Sequence, residues 1–137
     1  MTIVVIDGQG GGFGRALIEK LRSLGCTDTI VAVGTNATAT AAMRKAGATS
    51  GATGENAVIV NAGRADIVAG PMGIVIANSM MGECSPAMAV AVGSAKATRV
   101  LIPTSRCGTL IAGLADQPLA DYISHAAQRI LALCVAP

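Results

Sequence analysis

Apolar residues in this chain fall in short unbroken runs, separated by stretches with helical spacing. Ile3, Val4, Val5 and Ile6 form the first run, apolar on both faces as a strand inside a parallel sheet must be. From Arg15 to Leu24 the period changes. Leu17, Ile18, Leu21 and Leu24 share one face, and Arg15, Glu19, Lys20 and Arg22 the other. That pattern predicts an amphipathic helix closed by Gly25. Ile30 to Val33 reads as a second strand, followed by the turn Gly34-Thr35-Asn36 and an alanine-rich helix from about Thr38 to Ala46, which Gly47 stops. The span from Ile3 to Val33 has the length of one right-handed strand–helix–strand crossover.

Further along, the Gly, Thr, Ser and Ala residues from Ala48 to Asn56 predict a loop. Ala57 to Asn61 reads as a third strand and Asp66 to Ala69 as a fourth. Met72 to Met81 fits two descriptions, because Ile74-Val75-Ile76 favours a strand while the length allows a helix. Ser85-Pro86 starts a helix that runs to about Ala95, with the serine as N-cap and the proline at the first helical position. Arg99 to Ile102 predicts another buried strand, and Thr109 to Leu114 a short strand at the sheet edge. Gln117-Pro118 opens a last helix to about Cys134, with Leu119, Ile123, Ala126, Ile130 and Leu133 facing inward. The alternation predicts an α/β fold: a three-layer α/β/α Rossmann-like architecture with a mostly parallel sheet, as a single domain over residues 1–137.

Composition narrows the class. Hydrophobic residues make up 52% of the 137 positions and charged residues 13%, an unusually apolar balance for a small domain. So apolar a chain is expected to bury surface in a homo-oligomer. The net charge of +2 and the 1% aromatic content argue against nucleic acid, which calls for a basic surface or stacking rings. The uncharged stretch between Asp66 and Glu83 is interrupted by Gly70-Pro71 and Asn78-Ser79, so no membrane span is expected. No basic leader precedes the first strand, which predicts a cytoplasmic protein. Cys26, Cys84, Cys107 and Cys134 are scattered without a C-x-x-C pair, the pattern of free thiols rather than a metal site.

The chemistry concentrates after the first strand, in Asp7-Gly8-Gln9-Gly10-Gly11-Gly12-Phe13-Gly14. Strand, glycines, then helix is the context in which a glycine loop binds phosphate, because the chain can approach the anion closely and the helix end offers N–H groups and partial positive charge. Ligands of open parallel sheets lie beyond the carboxyl ends of the strands. The other candidate contacts are therefore Thr35 and Asn36, Asn61, Gly70, and Arg106, which can pair with a phosphate or carboxylate or be an ordinary solvated arginine. Thr35 and Asn36 stand where NAD sites place an acidic residue for the ribose. The cofactor thus stays open between NAD(P) and another nucleotide. Glu83 reads as a helix-start carboxylate or a catalytic one, Glu55 as a helix-start carboxylate or part of a loop over the nucleotide, Cys107 as a buried thiol or one activated by Arg106, and His125, the single histidine, as a surface residue or a catalytic base.

Gly8, Gly12 and Gly14 fit G-x-x-x-G-x-G, and Asp7 to Leu17 resembles the nucleotide loop of short-chain dehydrogenases. Asn61-Ala62-Gly63 echoes that family's Asn-Ala-Gly element. The catalytic Tyr-x-x-x-Lys of that family is missing, since Tyr122 is followed four places on by Ala126. Only phosphate binding at the three glycines is carried over. A second resemblance spans nearly the whole chain. The start from Ile3 to Leu21, Gly34-Thr35-Asn36, Ala52-Thr53-Gly54-Glu55-Asn56-Ala57 and Gly70-Pro71-Met72-Gly73-Ile74-Val75-Ile76-Ala77-Asn78-Ser79 resemble a family of short bacterial proteins classed as a domain of unknown function. It implies a Rossmann-like fold and a bacterial cytoplasmic setting. The residues leave two functions standing: a small nucleotide-dependent oxidoreductase, or a non-catalytic nucleotide-sensing or scaffold module working through an oligomer.

Overall fold

The computed structural model describes residues 1–104 and 108–135. Five strands, β1 (Thr2–Asp7), β2 (Thr29–Gly34), β3 (Ser50–Thr53), β4 (Ile67–Pro71) and β5 (Thr98–Ile102), form one sheet in the order β3-β2-β1-β4-β5. Every pairing is parallel. Parallel neighbours need crossovers, and the helices supply them: α1 (Gly12–Ser23), α2 (Ala37–Lys45), α3 (Glu55–Arg64) and α4 (Pro86–Gly93), with α5 (Leu119–Val135) after the last strand. The fold is the expected α/β class.

Side chains alternate along each strand, so β1 feeds two cores. Ile3 and Val5 pack with Leu17, Ile18, Leu21, Met43 and Ile130 beneath α1, α2 and α5. Val4 and Ile6 pack on the other face with Val58, Ala62, Met88 and Val92 from α3 and α4. These are the three layers. At the central strand Ile3, Val4 and Val5 are 0% exposed, which explains why the run is apolar on both faces.

Four expected segments change, and β5, expected buried, has only Ile102 buried. Ala57 to Asn61 is not a strand but the middle of α3. The Val-Ile-Val run suits a strand, yet the chain must cross from β3, on one side of β1, to β4 on the other, and that crossover is a helix. Val58 and Ala62 face the sheet while Ile59 is 40% exposed. The polar Ser50–Thr53, inside the expected loop, is β3; as a sheet edge it has no buried residue and so carries no apolar pattern. Residues 72–81 hold neither long element but a 3-10 turn, Met72–Val75, followed by tight turns. Thr109 to Leu114 forms no strand, which leaves β5 as the edge opposite β3 among the described residues. Leu24 and Leu119, expected inside, are 45% and 47% exposed.

Candidate functional site

The strand order places the site. From β1 the chain winds outward through β2 and β3, then returns to lay β4 on the other flank of β1. The carboxyl ends of β1 and β4 therefore part at a topological switch point, the place where open α/β sheets bind ligands. A cleft of about 790 Å³ lies there, within the roughly 300–1,000 Å³ usual for small-molecule sites. Its floor is the loop from Asp7 to Phe13. Pro71, Met80, Met81 and Leu119 form an apolar wall, and Arg15 supplies a cation.

Asp7, the last residue of β1, is 2% exposed. Its carboxylate accepts the N–H groups of Gly8 and Gly14, each at 2.8 Å. It thus ties the loop to the start of α1 from behind. Burial pushes its carboxyl up from the usual range, against the pull of the backbone N–H groups of Gly14, Gly8 and Phe13.

The glycines divide into two kinds. Gly11 holds φ 74°, and a Cβ there would come within 2.9 Å of the Ala39 Cα in α2. Gly14 lies where a Cβ would overlap the Met43 Sδ. Both are glycine so that α1 and α2 can pack. Gly10 and Gly12 have no such internal reason: neither has positive φ, and a Cβ on either meets nothing within 4 Å. Among the described residues their N–H groups also make no hydrogen bond. Gly12 is the first residue of α1, whose N-cap Gly11 gives no side-chain cap and whose first turn has no acid. Arg15 beside it adds positive charge to the positive end of the helix dipole, the reverse of the usual preference. Arg15 already pairs with Glu19 at 3.4 Å, and an anion in the cleft would answer the open N–H groups and the uncapped helix end.

The sequence reading put Glu83 just before α4 as a capping charge, with catalysis as the alternative. That start is capped instead by Ser85, whose hydroxyl accepts the Met88 N–H at 3.2 Å. Glu83 reaches away, across the end of β1, to the end of β2. There its Oε1 accepts the Gln9 N–H at 2.9 Å, the Thr35 hydroxyl at 2.7 Å and the Asn36 side-chain amide at 2.7 Å. These donors, the Gln9 N–H first, hold its carboxyl below the usual range. No sequence spacing signals this, since Glu83 lies 74 residues from Gln9.

A family of domains of unknown function (DUF3842) matches residues 2–135. The chain belongs to that family. No curated protein matches it. Among solved structures, this DUF3842 domain is similar to a dodecameric FMN-dependent UbiX-like decarboxylase from Escherichia coli O157:H7. The TM-score is 0.51 at 17% identity, over 99% of this chain and 95% of that one. At that identity the likeness shows the fold.

The expected site residues separate in space. Gly8, Gln9, Gly10, Gly11, Gly12 and Phe13 line the cleft, with Gly14 packed behind them. Thr35 and Asn36 come beside the loop but spend their side-chain donors on Glu83 and, for Asn36, also on the Gln9 carbonyl at 2.9 Å. Asn36 also caps α2, its Oδ1 accepting the Ala39 N–H at 2.9 Å. Asn61, expected after a strand, lies within α3 with its amide on the Ala57 carbonyl at 2.8 Å, away from the cleft. Gly70 is glycine for a packing reason, because a Cβ would strike the Ile6 carbonyl oxygen. Arg106 and Cys107 lie outside the described residues. His125 is exposed on α5, against a second, more open groove beside β5. Among the described residues no helix is long and apolar enough to cross a membrane.

Proposed function

We propose that this DUF3842 domain binds a phosphorylated nucleotide-type cofactor in the cleft between β1 and β4. The Gly10 and Gly12 N–H groups beside Arg15 would hold its phosphate, and Met80, Met81 and Leu119 would flank its ring. The observation that carries this reading is the pair Gly10 and Gly12, glycines with room for a side chain and with N–H groups that nothing in the described chain uses. FMN is the first candidate. The similar solved structure is an FMN-dependent decarboxylase, and the acid that NAD sites place after β2 is replaced here by Thr35 and Asn36. A bound flavin would supply redox or electrophilic chemistry at its ring, while the residues of the cleft hold the phosphate, shield the ring and set its face. NAD(P) with oxidoreductase activity is the second reading, supported by the same glycine loop.

Titration of purified protein with FMN, followed by quenching of flavin fluorescence, tests the proposal. FMN should bind saturably, and riboflavin, which lacks the phosphate, at least about tenfold more weakly. At 100 times its Kd the ligand should add about 2.7 kcal/mol of stability in a thermal melt. No binding of FMN, NAD, NADP or ATP would overturn it.

We also propose that the chain forms a homo-oligomer. Leu110 is 88% exposed, Leu114 43% and Leu119 47%. Leu110 and Leu114 lie between β5 and α5, Leu114 in the groove beside β5, and Leu119 opens α5. A second copy covering this face would bury them.

A further inference from the structure

The residues between the 3-10 turn and α4 form a strap across the top of the sheet. Asn78, Met80 and Met81 hold φ of 65°, 55° and 56°, a left-handed backbone that is strained for non-glycine residues. The strap is knotted by its own backbone: Asn78 N–H donates to the Cys84 carbonyl at 2.8 Å, and Cys84 N–H to the Ser79 carbonyl at 3.2 Å. Ser79 anchors it to the Gly73 carbonyl at 2.5 Å. Across from it Gln9 is also left-handed, at φ 52°. The two are joined by the Glu83 contacts and by the Gln9 side-chain amide, which donates to the Met80 carbonyl at 3.3 Å.

The strap divides the crevice. A Cβ on Gly8 would lie 2.7 Å from the Met80 Sδ, 2.7 Å from the Thr35 Oγ1 and 3.3 Å from the Glu83 Oε1. The chain itself therefore covers the β2 side of the loop. The cleft stops there too: Met80 and Gly8 line it, whereas Glu83, Thr35 and Asn36 do not. In Rossmann-like sheets a dinucleotide needs that side, because its second nucleotide runs from the glycine loop to the end of β2, where the ribose is held. Here three donors that would greet a ribose or phosphate converge on one carboxylate oxygen of the chain.

We propose that Glu83 is the specificity-determining residue of the cleft: its carboxylate fills the half-site at the end of β2 and restricts the protein to mononucleotides over dinucleotides. This rests on the reading of the cleft as a nucleotide site. The carboxylate acts twice, by occupying the donors of Gln9, Thr35 and Asn36 and by repelling a second phosphate. The shift of its titration to below the ordinary carboxylate range keeps it charged at neutral pH.

FMN and FAD are the discriminating pair, since FAD is FMN extended by the AMP portion that needs the second half-site. Isothermal titration of the wild type, Glu83→Ala and Glu83→Gln with both ligands should give a wild-type preference for FMN of about tenfold or more. In Glu83→Ala FAD should tighten by about tenfold while FMN moves by less than about threefold. Glu83→Gln keeps the side-chain length and an acceptor oxygen, so it should retain part of the preference. Its melting curve against the wild type checks that the strap still folds. An FMN-to-FAD ratio unchanged in Glu83→Ala, or FAD weakened by the substitution, overturns the inference while FMN binding upholds the cleft. If the wild type binds neither flavin, the FMN reading of the cleft falls by itself. The inference is then decided by ADP-ribose, which should bind Glu83→Ala and not the wild type; no gain there overturns it as well.

Discussion

Two adjacent glycines should respond in opposite directions to the same added methyl group. Gly11→Ala forces a left-handed backbone at φ 74° and places a Cβ 2.9 Å from the Ala39 Cα and 3.0 Å from its carbonyl oxygen. The conformational part costs about 1–2 kcal/mol. Because the obstacle is the backbone of α2, which cannot rotate aside as a side chain would, overpacking adds about 1–3 kcal/mol. The sum of at least about 2 kcal/mol should lower the Tm by about 8 °C, at roughly 4 °C per kcal/mol for a domain of this size. Gly12→Ala puts its methyl where nothing lies within 4 Å, at the first residue of α1. It removes unfolded-state freedom and should stabilise by about 0.4–1 kcal/mol. The same methyl stands in the proposed phosphate path, so FMN affinity should fall by about tenfold or more, or 1.4 kcal/mol. Urea unfolding and flavin titration of both variants separate the two effects. A Gly12→Ala protein less stable than wild type, or one that binds FMN as tightly, would refute the division into packing glycines and ligand glycines.

The remaining expectations concern the loop anchor and the assembly. Asp7→Asn keeps one acceptor oxygen for the Gly8 and Gly14 N–H groups that the carboxylate serves together, so it should cost about 1–3 kcal/mol in urea unfolding near neutral pH. Since burial raises the Asp7 carboxyl above 3.8, its contribution is fully present below that value and is lost as pH rises through the folded value. The deficit of Asp7→Asn against the wild type should therefore shrink across that window, and a deficit that grows with pH would contradict the buried-carboxylate account. Sedimentation at micromolar concentration should find an oligomer that Leu110→Glu dissociates, and a clean wild-type monomer would remove the assembly proposal.

Elements whose pattern is local could be read from neighbouring residues alone. Burial on both faces wrote β1 as Ile3–Ile6, one-sided burial wrote α1, and Ser85-Pro86 marked the start of α4 because N-cap chemistry needs only neighbouring residues. The glycine loop was legible for the same reason, as a strand leading straight into a helix. Tertiary structure decided the rest. β3 is polar because an edge strand buries little, and the Val-Ile-Val run of α3 became a helix because the chain had to cross the sheet. Which glycines serve packing and which face the cleft depended on α2 lying behind Gly11 and Gly14, and eight loop residues cannot reveal that. Glu83 is the clearest case. Its three partners come from the ends of β1 and β2, and only the winding of the sheet brings a strap from beyond β4 across to meet them. Hydrogen-bond partners distant in sequence leave no periodicity behind, so a carboxylate that reads as a helix-start charge can turn out to close half of a binding crevice.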